Sequence, residues 1–348
     1  MNATEKPIET LEDVSAYKPA PMRKFFSASH EEILAGLTAD VYFVKANEVL
    51  RGKNMENTVV TAEIFARREG IVAGIPEVMT LISGRGLKIQ SLTEGEIFAP
   101  KEVIMRICGP YQAFGIHETA ILGILASSCG WATAARACKE AAGDSNLLSF
   151  GARHVHPAVA PVMERAAIIG GADSASCILG AKLAGQEPVG TLPHAVFLII
   201  GDTVEVAETY DEVLPPDAPR LILVDTFKDE AEETLRVANA LKSKLAGVRL
   251  DTPSERGGVT PDLVREIRSR LDQSGFQHVK IFVSGGITPD RIRILKDAGA
   301  HAFGVGSFIS GASPIDMTMD LKEIAGKPIA KRGRIPGITF SVRLTDLE

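Results

Sequence analysis

Basic stripes and paired-cysteine motifs are missing from this 348-residue chain, and no secretory leader is expected. Asp and Glu number 44 against 38 Lys and Arg, a net charge of -6, so no concentrated positive surface and no nucleic-acid partner is expected. That balance still permits a phosphorylated substrate, which a few placed cations and backbone amides can hold. The four cysteines, Cys108, Cys129, Cys138 and Cys177, lie far apart with no CxxC spacing. This argues against zinc and disulfides and for reduced thiols in a cytoplasmic protein. The opening MNATEKPIETLEDVSAYKP has no basic segment followed by an apolar core. The longest uncharged stretch, 119–135, is rich in Ala, Gly, Ser and Thr and falls short of a membrane span, so a buried core helix and no membrane contact are expected. None of His154, His156 and His194 has the spacing and acidic companion of an HExxH motif, so no protein-ligated transition metal is expected.

What is present is a repeating alternation. From about residue 145, short apolar runs alternate with amphipathic helical patterns: 221–225, 247–251, 279–283 and 301–305 are the clearest runs. Thr260-Pro261-Asp262 and Thr288-Pro289-Asp290 read as helix caps with Pro at the first helical position. Nearly all-apolar strands joined by helices imply a parallel βα barrel, with active groups at the strand C-terminal ends. Residues 57–65 and 103–107 instead alternate with period two, which implies an antiparallel sheet packed on one face. The fold class is therefore α/β: an irregular βα barrel with an N-terminal α/β domain. The expected divisions are 1–144, 145–318, and a segment 319–348 that returns to the first domain.

Two segments suggest a ligand. Ser149-Phe150-Gly151-Ala152-Arg153 offers an aromatic face and a guanidinium, and Gly190-Thr191-Leu192-Pro193-His194 ends on an imidazole. A flat aromatic acid fits, because Arg grips a carboxylate through two parallel hydrogen bonds while Phe stacks on the ring. Ser284-Gly285-Gly286 and Gly304-Val305-Gly306-Ser307 each close a strand, and paired glycine loops after late barrel strands commonly hold a phosphate. Asp225, Arg249 and Asp251 also stand at strand ends, able to hold ribose hydroxyls, a metal-bound diphosphate or the acid, or to form an ion-pair network inside the barrel. His154 and His156 read equally as packing residues or as partners of Asp173.

The ordered set SFGARHVHP, GGADSASCILGAKL, GTLPHAV, VDTF, GVRLDT, SGG and GVGS, preceded by Thr38-Ala39-Asp40-Val41-Tyr42-Phe43 and EGEIFAPKEVIMRICGPY, resembles the nicotinate phosphoribosyltransferase family. The resemblance implies synthesis of nicotinate mononucleotide from nicotinate and phosphoribosyl pyrophosphate. It implies Phe150 stacking on the pyridine, Arg153 and Arg249 at its carboxylate, and Tyr42 closing the pocket from a second subunit of a homodimer or higher oligomer. The glycine loops would take the 5-phosphate, while Asp225 and Asp251 would face ribose or a magnesium ion carried with the diphosphate. His194 matches the family histidine phosphorylated by ATP, a cosubstrate. His154 stands where many relatives have a second Arg, and no zinc is expected.

Three alternatives stay open. Quinolinate phosphoribosyltransferase needs a denser basic pocket, nicotinamide phosphoribosyltransferase would use Asp173 as a carboxamide acceptor, and a non-catalytic homologue would bind a nucleotide precursor.

Overall fold

The computed structural model describes residues 6–347. The chain divides into two compact units, 1–130 with 313–348, and 131–312. These divisions replace the expected 144/145 and 318/319. The first falls inside the helix Glu118–Ala142, which runs without a break from one unit into the other.

The first unit is built on a six-stranded sheet. The strand Val59–Ala66 pairs antiparallel with Val103–Pro110 on one side and with Met317–Ile324 on the other. The alternation in 57–65 implies one solvated face, yet Thr61 and Glu63 are buried like Ala62 and Ile64. The second face is covered by the end of the chain: Arg106 bonds Glu63 at 2.8 Å and donates to the Thr339 carbonyl, whose own N–H donates to Glu63. A buried carboxylate is tolerable because it is fully matched by a guanidinium and an amide.

The second unit is a curled, six-stranded, all-parallel sheet ordered 174–175, 146–149, 302–305, 280–283, 245–250, 220–223. Its two edge strands do not pair with each other, so the barrel stays open on that side. Both Thr-Pro-Asp triplets cap helices as expected: the Thr260 hydroxyl accepts from Leu263 N and the Thr288 hydroxyl from Arg291 N, opening Pro261–Gln273 and Pro289–Asp297. Those helices bury Val264, Ile267, Leu271, Ile292 and Leu295 over the fully buried Ile281 and Val283. Burying each such side chain stabilises by roughly 1.5–3 kcal/mol.

The helix Glu118–Ala142 is long and apolar enough, by length and composition, to cross a membrane. Its stripe Ile121, Leu125 and Cys129 is fully buried in the first unit's core, and Ala135, Cys138 and Ala142 in the second's. It reads as a core helix. Burial pushes the thiols of Cys129 and Cys138 up to about 12, which leaves them unreactive at neutral pH.

Candidate active site

Strand direction gathers the site. Phe150, Ser176, Asp225, Asp251, Ser284 and Gly306 each stand just past the C-terminal end of a parallel strand, and together with neighbouring loops they surround or border one pocket of about 490 Å³. Phe150, Arg153, Arg249, Asp251, Ser284, Gly285, Gly286, Gly304, Gly306 and Ser307 all line it. The ladder continues into these loops, since Phe150 N donates to Val305 O at 2.8 Å and Ser284 N to Leu250 O at 2.9 Å.

Arg249 is the organising cation. Its Nε donates to Ser284 Oγ at 2.9 Å and its Nη1 to Thr191 Oγ1 at 2.7 Å, while Nη2 lies 3.4 Å from Asp251 Oδ2. Ser284 in turn donates to Asp251 Oδ1 at 2.7 Å. The guanidinium carbon sits 5.3 Å from the Phe150 ring centroid, and Phe150 meets Phe282 edge-on. Arg249 is therefore held in one orientation by three elements, which lowers the entropy lost when an anion binds. Arg153 differs: it is exposed at the rim and, among the described residues, makes no ion pair.

The glycines act through what they leave out. A Cβ on Gly304 would stand 2.7 Å from Phe150 Cδ2, so the ring lies directly on backbone. A Cβ on Gly306 would stand 2.7 Å from His154 Cε1. Gly285 and Gly286 have φ of +86° and +62°, left-handed values that favour glycine and turn the loop at the end of 280–283. Such turns aim successive amides at an anion.

Beside the pocket, outside its lining, His194 Nε2 lies 3.2 Å from Asp225 Oδ2. Asp225 is buried, its Oδ1 has no hydrogen-bond partner among the described residues, and burial raises its pKa against the lowering effect of His194. His194 is half exposed at the start of the helix His194–Ile200. Facing a carboxylate, Nε2 is the nitrogen placed to donate, and in the tautomer that does so Nδ1 carries the lone pair.

Besides His194 and Asp225 at its border, two further sequence candidates, Asp173 and Tyr42, are not in the pocket. Asp173 precedes the strand Ser174–Ala175 and so lies at the opposite end of the sheet, taken up by Lys139 at 2.9 Å and Leu147 N at 2.7 Å. It is removed from the base site, and with it the carboxamide acceptor. Tyr42 belongs to the first unit, where it is exposed on the helix Val41–Arg51 beside a smaller hollow with Asp40, Glu118 and Asp316.

Glu164 was not anticipated. Although it sits mid-helix in Ala160–Ile169, it is fully buried and accepts from Gly151 N at 2.9 Å, Ala152 N at 3.2 Å and Cys177 N at 2.6 Å. One carboxylate thus ties together the loops that present Phe150 and Ser176. The sequence signal was faint: an acid among Ala, Val, Met and Ile.

Residues 40–129 match the quinolinate phosphoribosyl transferase N-terminal domain and 131–320 its C-terminal domain. The crystal structure of nicotinate-nucleotide pyrophosphorylase from Pyrococcus furiosus superposes with a TM-score of 0.87 at 44% identity, over 91% of this chain and 82% of that one. A nicotinate phosphoribosyltransferase of Mycobacterium tuberculosis, pncB1, is 28% identical over 86% of this chain and 75% of its own. That of Bacillus subtilis is 30% identical over 62% of this chain and 44% of its own. With both domain models matched in order along most of its length and the strand-end pocket in place, the chain belongs to the quinolinate phosphoribosyltransferase family, enzymes of the type II phosphoribosyltransferase fold.

Proposed function

We propose that this chain is a cytoplasmic nicotinate phosphoribosyltransferase, joining nicotinate to phosphoribosyl pyrophosphate with release of pyrophosphate. The observation that carries the reading is the pocket's sparse cationic lining: two guanidinium groups, Arg153 and Arg249, and no lysine among the described residues. Arg249 already faces Asp251. That inventory suits one ring carboxylate and one phosphorylated sugar, whereas quinolinate brings a second carboxylate that needs its own cation. The names of the Mycobacterium and Bacillus relatives favour the same substrate. Quinolinate phosphoribosyltransferase is the second reading, comparably supported by the names of the family models and of the Pyrococcus furiosus structure.

In this mechanism Phe150, seated on Gly304, stacks on the pyridine, while Arg249 and Arg153 hold its carboxylate. The ring nitrogen is thereby aimed at the anomeric carbon, to which it bonds as the bond to pyrophosphate breaks. The amides around Gly285, Gly286, Gly306 and Ser307 hold the 5-phosphate. Asp225, with an unpaired buried oxygen, and Asp251 fit a magnesium ion arriving with the diphosphate, which would neutralise the leaving group. Positioning and charge dominate, since no proton must move at the carbon. His194 is the residue through which ATP hydrolysis is coupled: Nδ1 attacks the terminal phosphorus, ADP leaves, and water later cleaves the phosphohistidine. Tyr42 of a second copy closes the ring's free face in a homodimer.

The deciding experiment incubates the purified chain with phosphoribosyl pyrophosphate and either ring-labelled nicotinate or carboxyl-labelled quinolinate, with and without ATP. Labelled nicotinate mononucleotide from nicotinate, with no labelled carbon dioxide from quinolinate, is the expected result. Release of labelled carbon dioxide would replace it with the second reading.

A further inference from the structure

A second cavity, of about 570 Å³, lies wholly within the first unit. Its walls carry Arg85, Asn47, His117 and Arg51 among apolar residues that include Ile8 and Ile116. Asn47 and His117 are each more than nine-tenths buried, and the Oδ1 of Asn47 and Nδ1 of His117 have no hydrogen-bond partner among the described residues. Buried polar atoms are nearly always satisfied in a folded protein, and the exceptions point to a missing partner. Arg51 is neutralised by Glu9 at 2.9 Å. Arg85 is not: it stands on a turn between Gly84 and Gly86, both at positive φ, with one long bond of 3.4 Å to the Ala113 carbonyl.

We propose that this cavity is a second ligand site for a small organic monoanion, its carboxylate on Arg85, its apolar body against Ile8 and Ile116, and a polar substituent for Asn47 and His117. The volume falls within the ordinary range for small-molecule sites, about 300–1,000 Å³. Burial, with Arg85 adding to it, pulls His117 down to about 4, so its imidazole is neutral at pH 7 and hydrogen-bonds without competing for the anion. The site also has a lever. Asn47 lies on the helix Val41–Arg51 that carries Tyr42, and His117 immediately precedes the helix Glu118–Ala142. An occupant therefore bears on the helix that presents Tyr42.

The test is calorimetric titration of the full chain with 4-aminobenzoate, which has a carboxylate, a ring and a donor. Saturable binding is expected to persist in Arg153→Ala, which weakens any hold on the same flat acid in the strand-end pocket, and in that background Arg85→Ala should weaken it at least tenfold. Arg85 is exposed, so its loss should leave the thermal midpoint unchanged; Arg85→Gln repeats the measurement should Arg85→Ala be unstable. No saturable binding by the unaltered chain, undiminished binding by the Arg85 variant, or loss in Arg153→Ala alone would each overturn the proposal. None of these outcomes depends on the identity of the base used in the strand-end pocket.

Discussion

Arg249 lies over the face of Phe150, its guanidinium carbon 5.3 Å from the ring centroid, while Ser284 and Thr191 hold its nitrogens. The cation and the ring that should grip a pyridine carboxylate are thus fixed relative to each other before substrate arrives. Replacing Arg249 or Arg153 by Ala should raise the KM for nicotinate more than that for phosphoribosyl pyrophosphate. A charge-assisted contact contributes about 1.5–3 kcal/mol, roughly ten- to a hundredfold. Steady-state kinetics with each substrate varied in turn would check this, and an unchanged nicotinate KM in both variants would refute the assignment.

Gly306→Val should abolish binding of phosphoribosyl pyrophosphate. The new side chain starts 2.7 Å from His154 Cε1 and 3.2 Å from the Phe150 carbonyl, so the His154 ring must swing aside, the Phe150 carbonyl must yield slightly, and the added methyls occupy the phosphate loop. Gly285→Val adds strain at φ +86° and a contact with Asp251 Oδ1 at 3.2 Å. Calorimetry on folded variants is the measurement, and wild-type affinity would show that these loops are only turns.

His194→Ala should eliminate ATP hydrolysis and acid-labile labelling from ATP while leaving slow, ATP-independent formation of the mononucleotide. Asp225→Asn should weaken the same labelling, because its amide no longer fixes the His194 tautomer with a full charge. Label found on another residue of the unaltered chain would end this role for His194.

The carboxyl of Glu118 is pushed up to about 7, chiefly by burial, with the charge of Asp320 adding to it. Its folded pKa is thus above its unfolded value near 4.5. The folded state holds the extra proton between those values, so stability present below about pH 4.5 is lost as pH rises through about 7. Glu118→Gln should therefore raise the thermal midpoint at pH 8 but not at pH 4.5. Partial exposure reduces the effect to roughly 1–2 kcal/mol. Equal midpoint differences at the two pH values would contradict the shift.

Much of the pocket was legible because glycines and charged residues interrupt apolar runs just where parallel strands end. Gly304 through Ser307 and Ser284 through Gly286 needed no long-range information. The error at Asp173 was one of strand polarity: it stands before its strand, and a residue there faces the far end of the sheet. Glu164 was hidden because burial of a mid-helix carboxylate depends on two loops arriving from elsewhere, which periodicity cannot show. The boundary at 130/131 was equally invisible, since the helix crosses it with its backbone bonds intact.

The strand Met317–Ile324 has an implication for how the protein is made. Its partner Val59–Ala66 emerges from the ribosome early, and one edge of that strand stays unpaired until residue 324 has been synthesised. The whole parallel-sheet unit is translated in the interval, and it has its own core from which to fold first. A nascent chain stalled before residue 317 would therefore display an open, apolar strand edge, a ready target for holding chaperones or for pairing with another unfinished copy.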